Sequence, residues 1–133
     1  MFKRPIGKEA GSVPAEVRGG DGWLAMPRPV AQAADSAQVI SAAAFAQGLY
    51  YRSGLTVGRT DTTDTAVNIL NAVAGLDVGE AIVFAISNQS AQILTIGAGA
   101  GVTLVGKGTV PASGFSWFLL TRTGAATVSL TGL

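Results

Sequence analysis

Apolar and polar positions alternate with a period of two through the second half of the chain. In 81–88, Ile82, Phe84 and Ile86 share one face, and near the end Val128 and Leu130 alternate with Thr127, Ser129 and Thr131. Each run predicts a strand buried on one side. The run 115–122 is different, because Phe115, Trp117 and Leu119 take one side while Phe118 and Leu120 take the other. Both of its faces need cover, as in a central strand or one held between its own sheet and a neighbouring subunit, so Phe115, Trp117, Phe118 and Leu120 are the expected core or oligomer interface. Further strands are predicted at 49–52, 92–96 and 102–105, with turn signals at 53–54, 88–90, 106–108, 113–114 and 123–124. Short strands at spacings of about 8 to 12 residues predict a mainly β domain, an antiparallel β-sandwich, jelly roll or small barrel.

Two short helices interrupt this pattern. Residues 35–48 are rich in alanine, with Ser41 as an N-cap for a helix over 42–47 and Gly48 as its left-handed terminator. A second helix is predicted within 60–75, capped by Thr63 or Asp64 and ended by Gly75, with Val67, Leu70 and Val73 on one face and Ile69 beside them.

The first 35 residues follow neither period. They hold Pro5, Pro14, Pro27 and Pro29, four of the five prolines, and no threonine occurs before Thr56. We read 1–35 as an extended N-terminal arm, ordered by docking on something else, and 36–133 as the β domain.

Composition narrows the function. Charged residues are 13% of the chain, and Lys+Arg 9 against Asp+Glu 8 leaves a net charge of +1, too little field to gather nucleic acid or acidic lipid. No apolar run approaches the roughly 18 to 20 residues that span a bilayer, and neither a secretory signal nor a myristoylation site is expected at the start. Histidine and cysteine are both absent, which removes Ser-His and Cys-His catalysis and the commonest metal ligands.

What remains is weak as chemistry. The segment 101–108 (GVTLVGKG) has phosphate-loop spacing, yet Gly108 stands where a hydroxyl is needed and no helix follows. The run GAGAG at 97–101 lacks the third glycine of a dinucleotide fingerprint. Asp61 and Asp64 are a conceivable carboxylate pair, but their threonine-rich setting reads as helix capping. Asp77 and Glu80 read as turn residues. No catalytic residue, cofactor or metal is expected, and we read the protein as not an enzyme.

The order of elements from Ser41 to Leu130 carries a resemblance. Arg59-Thr60-Asp61-Thr62-Thr63 precedes a short helix, Val78-Gly79-Glu80 leads into a strand, and Ile93-Leu94-Thr95-Ile96, the glycine run and Val102-Thr103-Leu104 follow. In this the chain resembles small tailed-bacteriophage virion proteins that decorate or cement the head; similar domains also occur in head fibres and tail-associated proteins. The resemblance implies a sandwich or jelly-roll decoration domain on the outer surface of an icosahedral head, made in the host cytoplasm. It would act as a homodimer or homotrimer and bind the major capsid protein, without direct contact to nucleic acid or membrane. In that setting the arm would clamp adjacent capsid subunits, with Phe2, Trp23, Leu24 and Met26 as apolar anchors and Lys3, Arg4, Lys8, Arg18 and Arg28 facing acidic residues. The runner-up is a fibre or receptor-binding module whose loops at 97–101 and 113–114 touch host glycans.

Overall fold

The computed structural model describes residues 28–133, so Phe2, Lys3, Arg4, Lys8, Arg18, Trp23, Leu24 and Met26 lie outside the described residues. The elements follow as β1 (Val30–Gln32), β2 (Val39–Ile40), α1 (Ala42–Gln47), β3 (Leu49–Arg52), β4 (Arg59–Thr63) and α2 (Ala66–Ala72). Then come β5 (Ala81–Asn88), β6 (Leu94–Gly97), β7 (Val102–Gly106), β8 (Thr109–Val110), β9 (Gly114–Arg122) and β10 (Val128–Gly132). A six-stranded sheet has the order β1-β3-β5-β9-β10-β7, and a four-stranded sheet the order β2-β4-β6-β8.

The chain changes sheet at nearly every strand. Each turn of this coil leaves one strand in the larger sheet and one in the smaller, and the first two turns return through α1 and α2. Successive strands of a sheet therefore run the same way. β1, β3 and β5 pair in parallel, as do β2, β4 and β6. The last elements double back: β9 is antiparallel to β5 and β10, β8 is antiparallel to β6, and β7 lies parallel to β10. The expected antiparallel sheet is thus corrected to a mainly β fold of mixed sheets. Turn signals mark where strands end, whereas a return through a helix is what makes neighbours parallel.

Val30–Gln32, on the arm side of the compositional boundary at residue 35, is an edge strand of the larger sheet in register with Tyr50, Tyr51 and Arg52.

One core lies between the sheets. Phe84, Ile86, Phe118, Leu120, Val128 and Leu130 enter it from the larger sheet, and Ile40, Leu94, Ile96 and Val110 from the smaller. Phe45 of α1 stacks on Phe84 with ring centroids 4.3 Å apart. Helix α1 has the predicted limits, with Gly48 at φ 83°, but the Ser41 side chain makes no cap bond. Asp64, from the next turn of the coil, accepts the Ala42 N–H instead at 3.2 Å. Helix α2 is capped by Thr65, whose hydroxyl accepts the Asn68 N–H. Its buried residues are Ala66 and Ile69, while Val67 is exposed. The predicted stripe is met in part, since Leu70 and Val73 pack against the core beside Ile69 while Val67 does not: the helix has only 7 residues, too few for a period to fix its orientation fully.

A row of polar side chains points into this apolar interior. Gln32, Arg52 and Asn88 are in register at the ends of β1, β3 and β5. Each binds a connection that crosses between the sheets. Gln32 Nε2 donates to Gln38 Oε1, and Asn88 Nδ2 donates to the Gln92 and Pro111 carbonyls. Arg52 donates to the carbonyls of Ala34, Ser36 and Ser53 and, through Nε at 2.7 Å, to Asp61 Oδ2. Both charged side chains are 0% exposed. Asp61 also accepts the Tyr50 hydroxyl at 2.9 Å and the Gln38 N–H at 2.9 Å. Burial, and then the hydrogen bond to Asp61, push the Tyr50 phenol well above its ordinary range. Asp61 is thus a strand residue holding an ion pair, and the capping role expected for it is corrected.

Arg52→Met should cost about 3 to 5 kcal/mol, because it leaves the buried Asp61 carboxylate without its counter-charge and the Ala34, Ser36 and Ser53 carbonyls without the guanidinium. Urea unfolding would measure this, and Arg52→Met with Asp61→Leu should recover only part, since the carbonyls still lack the guanidinium. Asp64→Ala should cost about 1 kcal/mol, the usual loss for a helix cap. Donation from the Asn68 amide holds the Asp64 carboxyl below its ordinary value. Its contribution is therefore complete above about pH 4, the unfolded value, and fades as the pH falls through the lower folded value. Thermal unfolding of wild type and variant should differ at pH 7 and converge in acid.

Candidate interaction face

The outer faces of the two sheets differ, although Val39 and Ile93 are exposed on the smaller one. On the smaller sheet Thr60, Thr95 and Thr109 are in register and point outward. Their hydroxyls can be met by water without any charge.

On the larger sheet three of the four outward rows are mainly apolar. Ala31, Tyr51, Ser87 and Phe115 form one row, Leu49, Ala85 and Trp117 the next, and Val83, Leu119, Thr131 and Val105 a third. The fourth, Ala81, Thr121, Ser129 and Thr103, carries hydroxyls. No charged side chain lies in any of the four. Exposure of 58% at Phe115, 49% at Trp117 and 54% at Val83 marks a contiguous patch rather than scattered apolar residues. Phe115 and Trp117 meet edge to face, with centroids 5.9 Å apart and planes at 88°. At the rim, Ala31, Tyr51, Ser53 and Gln89 line an open depression of about 280 Å³.

The predicted interface residues divide accordingly. Phe118 and Leu120 belong to the core, at 1% and 0% exposure, while Phe115 and Trp117 face outward. β9 is a central strand between β5 and β10, so alternation puts Trp117 near the middle of the face and Phe115 in its end row. Arg28 precedes β1 and is exposed, its backbone N–H donating to Gln47 Oε1 at 3.1 Å. Tyr51, Val83 and Val105 join the face without having been expected there. Their alternation was legible, but which strands lay side by side was not.

The glycine run at 97–101 is packed rather than free. The Gly99 N–H donates to Thr63 Oγ1 at 2.9 Å, and the Ala100 carbonyl accepts the Ala66 N–H. A methyl group at Gly99 would collide with the carbonyls of Thr63 and Asp64.

Most charges of the β body are engaged internally. Arg52 and Asp61 pair with each other, Asp64 holds helix ends, and Arg122 donates to the carbonyls of Leu76, Gly124 and Ala125. Arg59 pairs with Asp35 at 3.2 Å. Hydrogen bonds from Thr56, and then the Arg59 guanidinium, hold the Asp35 carboxyl below its ordinary value. Glu80 and Asp77 close the turn before β5, where Glu80 Oε1 accepts the Asp77 N–H. Among the described residues no three metal-ligating side chains cluster, and no helix is long and apolar enough to cross a membrane.

Comparison with family models, with curated proteins and with solved structures finds no match to this chain.

Gly99→Ala should destabilise the protein by about 1 to 3 kcal/mol through overpacking against backbone, whereas Ala98→Ser, at an exposed neighbour, should be close to neutral. Denaturant midpoints for both variants would check the contrast.

Proposed function

We propose that this is a structural virion protein, a decoration or cement protein that binds the outer surface of an icosahedral phage head and clamps adjacent major capsid protein subunits. The observation that carries this reading is the uncharged, aromatic outer face of the six-stranded sheet, on a body whose charges are mostly engaged within it. Such a surface favours burial against protein. A decoration domain of sandwich type accords with two sheets sharing one core. Residues 1–27 join the body next to β1, at the edge of the same sheet, so an arm reaching to neighbouring capsid subunits would start beside that face. Contacts from several arms on a fixed lattice would reinforce one another through high effective concentration. The role is one of assembly rather than catalysis, carried out as a homodimer or homotrimer on the outside of the head after synthesis in the host cytoplasm.

A fibre or tail-associated glycan-binding module is the second reading. Exposed Tyr51 beside the depression lined by Ser53 and Gln89 favours it. Against it, the perpendicular Phe115 and Trp117 rings make a poor platform for a flat sugar face.

Antibody raised against the purified protein should label the heads of virions released from cells that carry the gene, seen by electron microscopy. Label at tail tips would favour the fibre module, and particles without the protein would overturn both. Deleting residues 1–27 should abolish head binding while leaving the circular dichroism of the β body; undiminished head occupancy would overturn the clamping arm.

A further inference from the structure

We infer that the outer face of the six-stranded sheet packs against the same face of a second copy, giving a two-fold dimer with the sheets face to face. This deepens the proposed function by naming the surface through which the protein self-associates, and it rests on that reading for its setting on a head.

Three observations select a second copy as the occupant. The first is charge. The face carries no charged side chain, so it is compatible with itself, whereas a partner bearing lysines and carboxylates would bury them without counterparts. An isologous contact also needs no complementary surface elsewhere on the chain.

Size is the second. The four outward rows hold 15 positions, and at about 4.8 Å between strands and about 6.6 Å between rows they present roughly 480 Å² in projection. Two copies would cover about twice that, and side-chain relief raises the accessible area further, into the range of about 1,200 Å² where specific interfaces begin.

The third is the contrast between the sheets. The smaller sheet presents Thr60, Thr95 and Thr109 outward, with Val39 and Ile93 exposed at separate places on it, whereas the larger sheet gathers Phe115, Trp117 and Val83 into one aromatic patch. Phe115, Trp117 and Val83 lie where two sheets about 10 Å apart would interdigitate, and Tyr51 with its depression lies at the rim. A face-to-face contact of this kind closes at two copies, which selects the dimer over the trimer.

The test is the molar mass of the full chain by light scattering coupled to gel filtration, at concentrations from about 1 to 100 µM, a range that brackets typical protein–protein affinities. The expected mass is twice the 13.4 kDa of one chain. Phe115→Lys with Trp117→Lys should shift it to that of one chain, with circular dichroism unchanged, while Thr95→Lys on the other sheet should leave the dimer intact. Should the double variant fail to fold, Val83→Lys and Val105→Lys apply the same test from other strands of the face. A wild-type monomer, whether the face is then covered by residues 1–27 or by a capsid protein, would overturn the inference, as would a trimer or a dimer that survives both sets of substitutions. A monomer found on heads would sink the dimer and leave the proposed function standing, and a dimer absent from virions would do the reverse.

Discussion

The Arg52–Asp61 pair sits where three parts of the chain have to be held at once. Arg52 ends a strand of the larger sheet, Asp61 lies in the smaller, and the carbonyls that Arg52 also binds belong to the connection of the preceding turn. Taking both charges out of water costs several kcal/mol each. The attraction between them offsets that cost because the carboxylate also receives the Tyr50 hydroxyl and the Gln38 N–H, and the guanidinium finds backbone acceptors. An apolar pair of equal volume would fill the space but would strand the carbonyls of Ala34 and Ser36. The coil of alternating sheets is therefore fastened by polar side chains that point inward from strand ends. Gln32 and Asn88 repeat the device on the turns before and after.

That use of charge explains a composition that is otherwise puzzling. Residues 36–133 contain Arg52, Arg59, Lys107, Arg122, Asp61, Asp64, Asp77 and Glu80 as their only charged residues, and most of these bind other parts of the chain. Little charge is left to solvate the exterior. Threonine meets water on the smaller sheet, and the larger sheet is left with an aromatic patch of the kind that marks association in proteins of this size. The inward use of charge and the apolar outer face thus share one origin.

The position of β9 links that face to the core. A parallel coil alone would end the larger sheet at β5, and the face would be three strands wide. The β9–β10 hairpin adds to the β5 edge and β7 extends it further, which widens the face to six strands and brings Phe115 and Trp117 onto a central strand of it. The same hairpin delivers Phe118 and Leu120 to the core.

Much of this was legible along the chain, and the division has a physical basis. Alternation identified both faces of β9 and the inward side of β5, and the Ser41–Gly48 punctuation set the limits of α1, because side-chain period and backbone conformation are local properties. The partners of a strand are not local. Arg59–Thr63 is polar at nearly every position and reads as a loop with capping residues, yet it is the second strand of the smaller sheet, because its carboxylate is matched by an arginine on a different sheet. Composition alone could foresee a body short of free charge. Only the tertiary structure decided which of its faces would be apolar, since that depends on which strands the coil and the closing hairpin place side by side.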